Sequence, residues 1–126
     1  MSWNIVLFNS KQKIESIAEL DESLLEPIAF NTILETSFDR INSEDNHREI
    51  VGNDFTIEFY YYNEKQSNLM LSLYGENGLF ALIELAKKYN WQIYDSCIDE
   101  MIDLKNPEKN GFDNHRKYVE KILRGK

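Results

Sequence analysis

The sequence predicts an α+β domain: an antiparallel or mixed sheet of about five strands with two packed helices, a ferredoxin-like variant, followed by a C-terminal helix. Three observations carry that reading. Short β-prone runs recur between turn signals, and two stretches of helical spacing flank a strand meander. The chain of 126 residues, 42% hydrophobic and 13% aromatic, has enough apolar material for one packed core. Neither a repeat nor a Gly/Ser linker interrupts it, so residues 1–126 read as a single domain.

The first run, Trp3 to Phe8, is nearly continuously apolar and ends at the turn-prone Asn9-Ser10, as in a central strand covered on both faces. Lys11 to Pro27 then mixes Ile14, Ile17, Leu20, Leu24 and Leu25 with Glu15, Glu19, Asp21, Glu22 and Glu26. Its acid density and the proline predict a long surface connection with short helical turns at most. Thr32 and Glu35 stand three apart as a capping box, and Ile33, Leu34, Phe38 and Ile41 form an apolar stripe. A first helix is expected there, ending near Asn42.

After the polar segment Ser43–Arg48, two β-prone runs surround Gly52-Asn53-Asp54, which is a hairpin signature. In the second run Phe55, Ile57, Phe59 and Tyr61 fall on one face and Thr56, Glu58, Tyr60 and Tyr62 on the other; the first set is the core face. Leu69, Leu71 and Leu73 continue the meander inward. Gly75-Glu76-Asn77-Gly78 opens the strongest helix, with Leu79, Phe80, Leu82, Ile83, Leu85 and Ala86 apolar and Lys87 and Lys88 near its end. Trp91 to Tyr94 reads as a short strand and Cys97 to Leu104 as an extended piece. Beyond Pro107, Asp113 can cap a last helix carrying His115, Tyr118, Val119, Ile122 and Leu123 at helical spacing.

Composition narrows the function classes. A single cysteine, Cys97, permits no intramolecular disulfide and no multi-cysteine zinc site. The N-terminus has no basic region and too short an apolar run for a signal peptide, and no stretch approaches the ~20 apolar residues of a membrane span, so a cytoplasmic protein with no membrane partner is expected. Residues 1–103 carry 19 acids and 7 bases, a net of −12, whereas residues 104–126 carry 3 acids and 7 bases, a net of +4. An acidic body repels phosphate, which argues against nucleic acid and for a basic partner; net charge of this sign also serves solubility alone.

The local constellations are sparse. Gly75-x-x-Gly78 at a helix start lacks the Lys-Ser/Thr ending of a phosphate loop, and a plain strand-to-helix turn explains it better. Asp95, Asp99, Glu100 and Asp103 form the densest acid cluster outside the N-terminal connection, but without calcium-loop spacing. They read as solvated surface or as a contact for a basic partner. Cys97 with His47 or His115 would be a nucleophile and base, but a lone cysteine beside Ile98 and Met101 is more often a small buried apolar group, and His47 lies in a polar loop. Tyr60 and Tyr62, on the side opposite the core set, suggest base stacking, yet the acid Glu58 shares that side two residues before Tyr60. Packing beneath a helix or the N-terminal connection accounts for them better, with a protein contact next. No catalytic residue, metal site or cofactor is expected from these patterns.

Two stretches are more distinctive: residues 8–28, FNSKQKIESIAELDESLLEPI, and residues 73–79, LYGENGL, followed by NWQIYD at 90–95 and EMIDL at 100–104. They resemble small bacterial proteins, some thought to be immunity proteins for secreted polymorphic toxins. The resemblance implies a cytosolic binding protein that neutralises a toxin, and it assigns no residue. Together with the charge, it makes Glu15, Glu19, Asp21, Glu22, Asp95, Asp99, Glu100, Asp103, Tyr60 and Tyr62 the candidate contacts for a basic protein toxin. Two other readings stay open. One is a small enzyme or ligand-binding domain using Asp95, Asp99 or Cys97; the other is a homodimer joined through an edge strand or the tyrosine-bearing face.

Overall fold

The computed structural model describes residues 3–97 and 99–105. It is an α+β fold built on one seven-stranded antiparallel sheet: β1 (Trp3–Phe8), β2 (Ile41–Glu44), β3 (His47–Gly52), β4 (Phe55–Tyr60), β5 (Asn68–Tyr74), β6 (Gln92–Asp95) and β7 (Glu100–Met101). In space the strands run β2-β3-β4-β5-β1-β6-β7. Helix α1 (Phe30–Ser37) follows β1, and α2 (Glu76–Tyr89) joins β5 to β6.

One side of the sheet is the core. Trp3, Ile5 and Leu7 of β1 stand in register with Leu73, Leu71 and Leu69 of β5, and Ile50, Ile57 and Leu73 line up across β3, β4 and β5. All are nearly free of solvent, as are Phe30 and Leu34 of α1 and Leu79, Leu82, Ile83 and Ala86 of α2 that cover them. Each fully buried side chain of this size contributes roughly 1.5–3 kcal/mol, so this layer is the main source of stability. Phe30 packs on Trp91 with ring centroids 4.9 Å apart, tying α1 to the start of β6.

The strand count exceeds the expected five for a local reason. Ile41 does not extend α1 but opens β2, which hairpins with β3 through Asp45-Asn46, Asp45 lying in the left-handed region at φ 52°. Short polar side chains tolerate that conformation better than others. The helix ends at Ser37, and its N-cap is Ala29 with no side-chain bond, so Thr32 and Glu35 do not form the expected box. Glu35 is used elsewhere, as described below.

Between β1 and α1 the chain does form an irregular connection, with single 3-10 turns at Ile17–Glu19 and Glu22–Leu24. It is anchored by backbone bonds from Lys11 to Leu24 and from Glu26 to Asn9, and by the buried Ile14. Gly75 takes φ +100°, and a Cβ there would lie 2.5 Å from the Asp54 carbonyl oxygen, while a Cβ on Gly78 would crowd Phe55. The paired glycines therefore serve a tight strand-to-helix turn. The helix expected from Asp113 onward lies outside the described residues.

Candidate functional site

On the side of the sheet opposite the core the N-terminal connection covers the Phe8–Gln92 end, where the Gln92 side chain bonds Gln12 and Ile14 and Phe8 is buried; the composition of the rest follows from strand alternation. One cross-strand row runs Asn4, Ser72, Glu58, Glu49, Asn42 through β1, β5, β4, β3 and β2. A second runs Met70, Val6, Tyr94, Met101 through β5, β1, β6 and β7, and Tyr60 with His47 stands on β4 and β3. Tyr60 and Met70 are each 61% exposed and Tyr74 43%. Met70 lies within β5, and Tyr60 and Tyr74 close β4 and β5; exposed apolar side chains gathered on one face in this way mark a contact surface more than single ones do.

The polar groups of this face are organised. Ser72 Oγ donates to Asn4 Oδ1 at 2.9 Å, and Asn42 Nδ2 to Glu49 Oε1 at 3.0 Å. Tyr74 donates its hydroxyl to Glu58 Oε2 at 3.2 Å, and the Glu58 charge holds that phenol proton above its ordinary value. His47 Nε2 stands 3.8 Å from Glu58 Oε1, and its ring meets Tyr60 edge-on at 5.8 Å. At the far edge the Tyr94 hydroxyl donates to Asp99; this bond, then desolvation, then the nearby charges of Asp99 and Asp95 push the phenol up to about 12.

The candidate contacts divide. Tyr60 belongs to the open side, while Tyr62 lies beyond the end of β4; both are exposed rather than packed beneath a helix or the N-terminal connection. Glu15, Glu19, Asp21 and Glu22 are solvent-exposed on the N-terminal connection, whose fold is held by Gln12 bridging the Glu19 carbonyl and the Asp21 amide. A bond from Ser23 lowers the Asp21 carboxyl below its ordinary value. Asp99 and Glu100 are exposed at the turn into β7, with Asp99 at φ 53°. Asp103 caps the Lys105 amide and is half-buried.

Asp95 departs from the expectation of a surface acid. It is fully buried on the core side, where Trp3 Nε1 donates to Oδ2 at 2.7 Å and the Cys97 amide to Oδ1. Its place in β6 puts it in register with Ile5, which alternation alone would have shown had the strand been extended by one residue. Cys97 is half-buried, with burial raising its thiol pKa, and His47 lies on a strand rather than in a loop. Among the described residues no three His, Cys, Asp or Glu side chains gather as a metal site, and no helix is long and apolar enough to cross a membrane.

Glu49, Glu58, Met70 and Tyr74 were not among the sequence candidates. The signal was there: a two-residue turn at Asn53-Asp54 fixes Glu49 opposite Glu58, since hairpin register follows from loop length. A groove of about 820 Å³ opens beside the sheet edge, between Lys13, Glu15, Lys87 and Trp91 on one side and Asp103 and Lys105 on the other. Glu15 and Asp103 bring one carboxylate from each acid-dense segment of the sequence to its walls.

Compared with protein-family models, with curated proteins and with solved structures, the chain matches none.

Proposed function

We propose that this protein works by binding another protein, a basic toxin that it holds inactive in the cytoplasm, and that the open face of the sheet is its contact surface. The observation that carries this reading is the exposed part of this face among the described residues, with Tyr60 and Met70 standing in solvent beside the carboxylates of Glu49 and Glu58. Aromatic residues and methionine are the side chains that protein interfaces favour, and an acidic surround speeds encounter with a basic partner. The resemblance to immunity proteins points the same way. A second copy of the chain fits this face less well, because a two-fold contact presents the same carboxylates to one another.

Support for a ferredoxin-like relationship comes from the order β4-β5-β1-β6, in which α1 lies between β1 and β4 in the chain and α2 between β5 and β6. The hairpin strands β2 and β3 and the short β7 are then additions at the two edges.

The groove of about 820 Å³ favours a second reading, a ligand-binding domain, since that volume suits a small molecule. Lys11, Lys13, Lys87 and Lys105 along it outnumber Glu15 and Asp103, a balance that favours an anion.

The test is co-expression with toxic domains of secreted polymorphic toxins, beginning with any encoded in the neighbouring genes. Restored growth is expected, together with a stable complex on size exclusion. Cells that die as fast with the protein as without it would overturn the proposal.

A further inference from the structure

We infer that the open face is built to receive an arginine side chain from its protein partner, seated on the carboxylates of Glu58 and Glu49 and against the rings of Tyr74 and Tyr60. This deepens the protein-binding reading and rests on it.

The first ground is an unbalanced charge. Glu49 and Glu58 are directly paired across β3 and β4, where facing like charges weaken a sheet. Their partners among the described residues are neutral or weakly basic: Asn42 for Glu49, Tyr74 and His47 for Glu58. No lysine or arginine among the described residues reaches either carboxylate. Asn42 and Tyr74 each use one oxygen, so the pair keeps acceptor capacity toward solvent, and the Glu58 side chain is 32% exposed.

The second ground is that the molecule contains the completed arrangement once already. On the core side Arg48 donates through Nε to Glu35 Oε1 at 2.8 Å while its guanidinium lies 4.8 Å over the Tyr61 ring. Carboxylate, ring and guanidinium form one unit there. Among the described residues the open side has the carboxylates and the rings, with His47 beside Glu58 and no lysine or arginine on them. A guanidinium suits this place better than an ammonium, because its planar fork can serve two carboxylates while its face lies on an aromatic ring.

The test uses the full chain, labelled for amide NMR and titrated at low salt with acetyl-Gly-Arg-Gly-amide and with the lysine counterpart. The arginine peptide should shift the amides of Glu49, Glu58, Tyr60 and Tyr74 and bind several-fold more tightly than the lysine peptide. Glu58→Gln should weaken it about tenfold, the loss of one charge-assisted contact, while remaining at least as resistant to urea as the parent chain. Glu84→Gln, exposed on α2, should leave it unchanged. Equal response to both peptides, shifts centred on Glu19 to Glu22, or no shift at all would overturn the inference. A chain that protects cells from the toxin yet shows no arginine preference would lose this seat and keep its function as a toxin binder; one that prefers arginine on this face but protects against nothing would keep the seat and lose the toxin.

Discussion

The two sides of the sheet solve the same chemical problem differently. On the helix side Arg48 lies between Glu35 and Tyr61, and the fully buried Asp95 takes the indole N–H of Trp3. On the open side Glu49 faces Glu58, and Tyr60 and Met70 project into water. Burial demands satisfied groups, because an unpaired charge away from water costs several kcal/mol, whereas a solvated face can keep an unfavourable pairing at small cost. Stability is thus concentrated on one side, and the other is free to carry recognition.

The largest effect should come from the closed side. Trp3→Ala removes a fully buried ring and the donor to Asp95 together, and should lower unfolding free energy by about 3–5 kcal/mol in urea titrations. Trp3→Phe, which keeps most of the packing, separates the two contributions; a loss below about 1 kcal/mol would show that the indole–carboxylate bond contributes little. Arg48→Ala should cost about 1–2 kcal/mol through its partly buried pair with Glu35 and its contact with Tyr61, and Arg48→Lys should recover only part of that.

On the open side the sign reverses. Glu49→Gln and Glu58→Gln should each raise stability, by about 0.2–1 kcal/mol, because each removes one member of a facing like-charge pair. A loss of comparable size would mean that the carboxylates support the fold and would break the contrast between the sides. The smallest effect concerns pH. The Tyr94 phenol binds its proton more tightly in the fold than its ordinary value of 10, through Asp99 first, so this contribution is intact below pH 10 and is lost as pH rises toward about 12. Urea midpoints measured across that range should fall less steeply for Tyr94→Phe than for the parent chain.

Much of the fold was legible because alternation and helical spacing are local. β1 spans Trp3 to Phe8 as read, Leu69, Leu71 and Leu73 point inward, and α2 begins at the Gly75–Gly78 turn. The errors arose where two patterns compete. Ile41 completes an apolar stripe at helical spacing, yet Asp45-Asn46 makes it the first residue of a hairpin, and the pairing of Ile41 with Ile50 decides the outcome. Asp95 looked like surface because it is acidic, and only the distant Trp3 explains its burial. The site was less visible. Tyr60 was singled out by face, but Glu49 and Glu58 gain meaning only from being opposite each other, a cross-strand relation that composition does not express.

Charge reversal on the open face tests the central claim most directly. Glu58→Lys places a cation opposite Glu49, which should strengthen the sheet while repelling a basic partner. Measured by growth of cells expressing a toxic domain that the parent chain neutralises, the variant should fail to protect although its urea midpoint is equal to or above that of the parent chain. Full protection by a well-folded Glu58→Lys chain would contradict the assignment of this face as the binding surface.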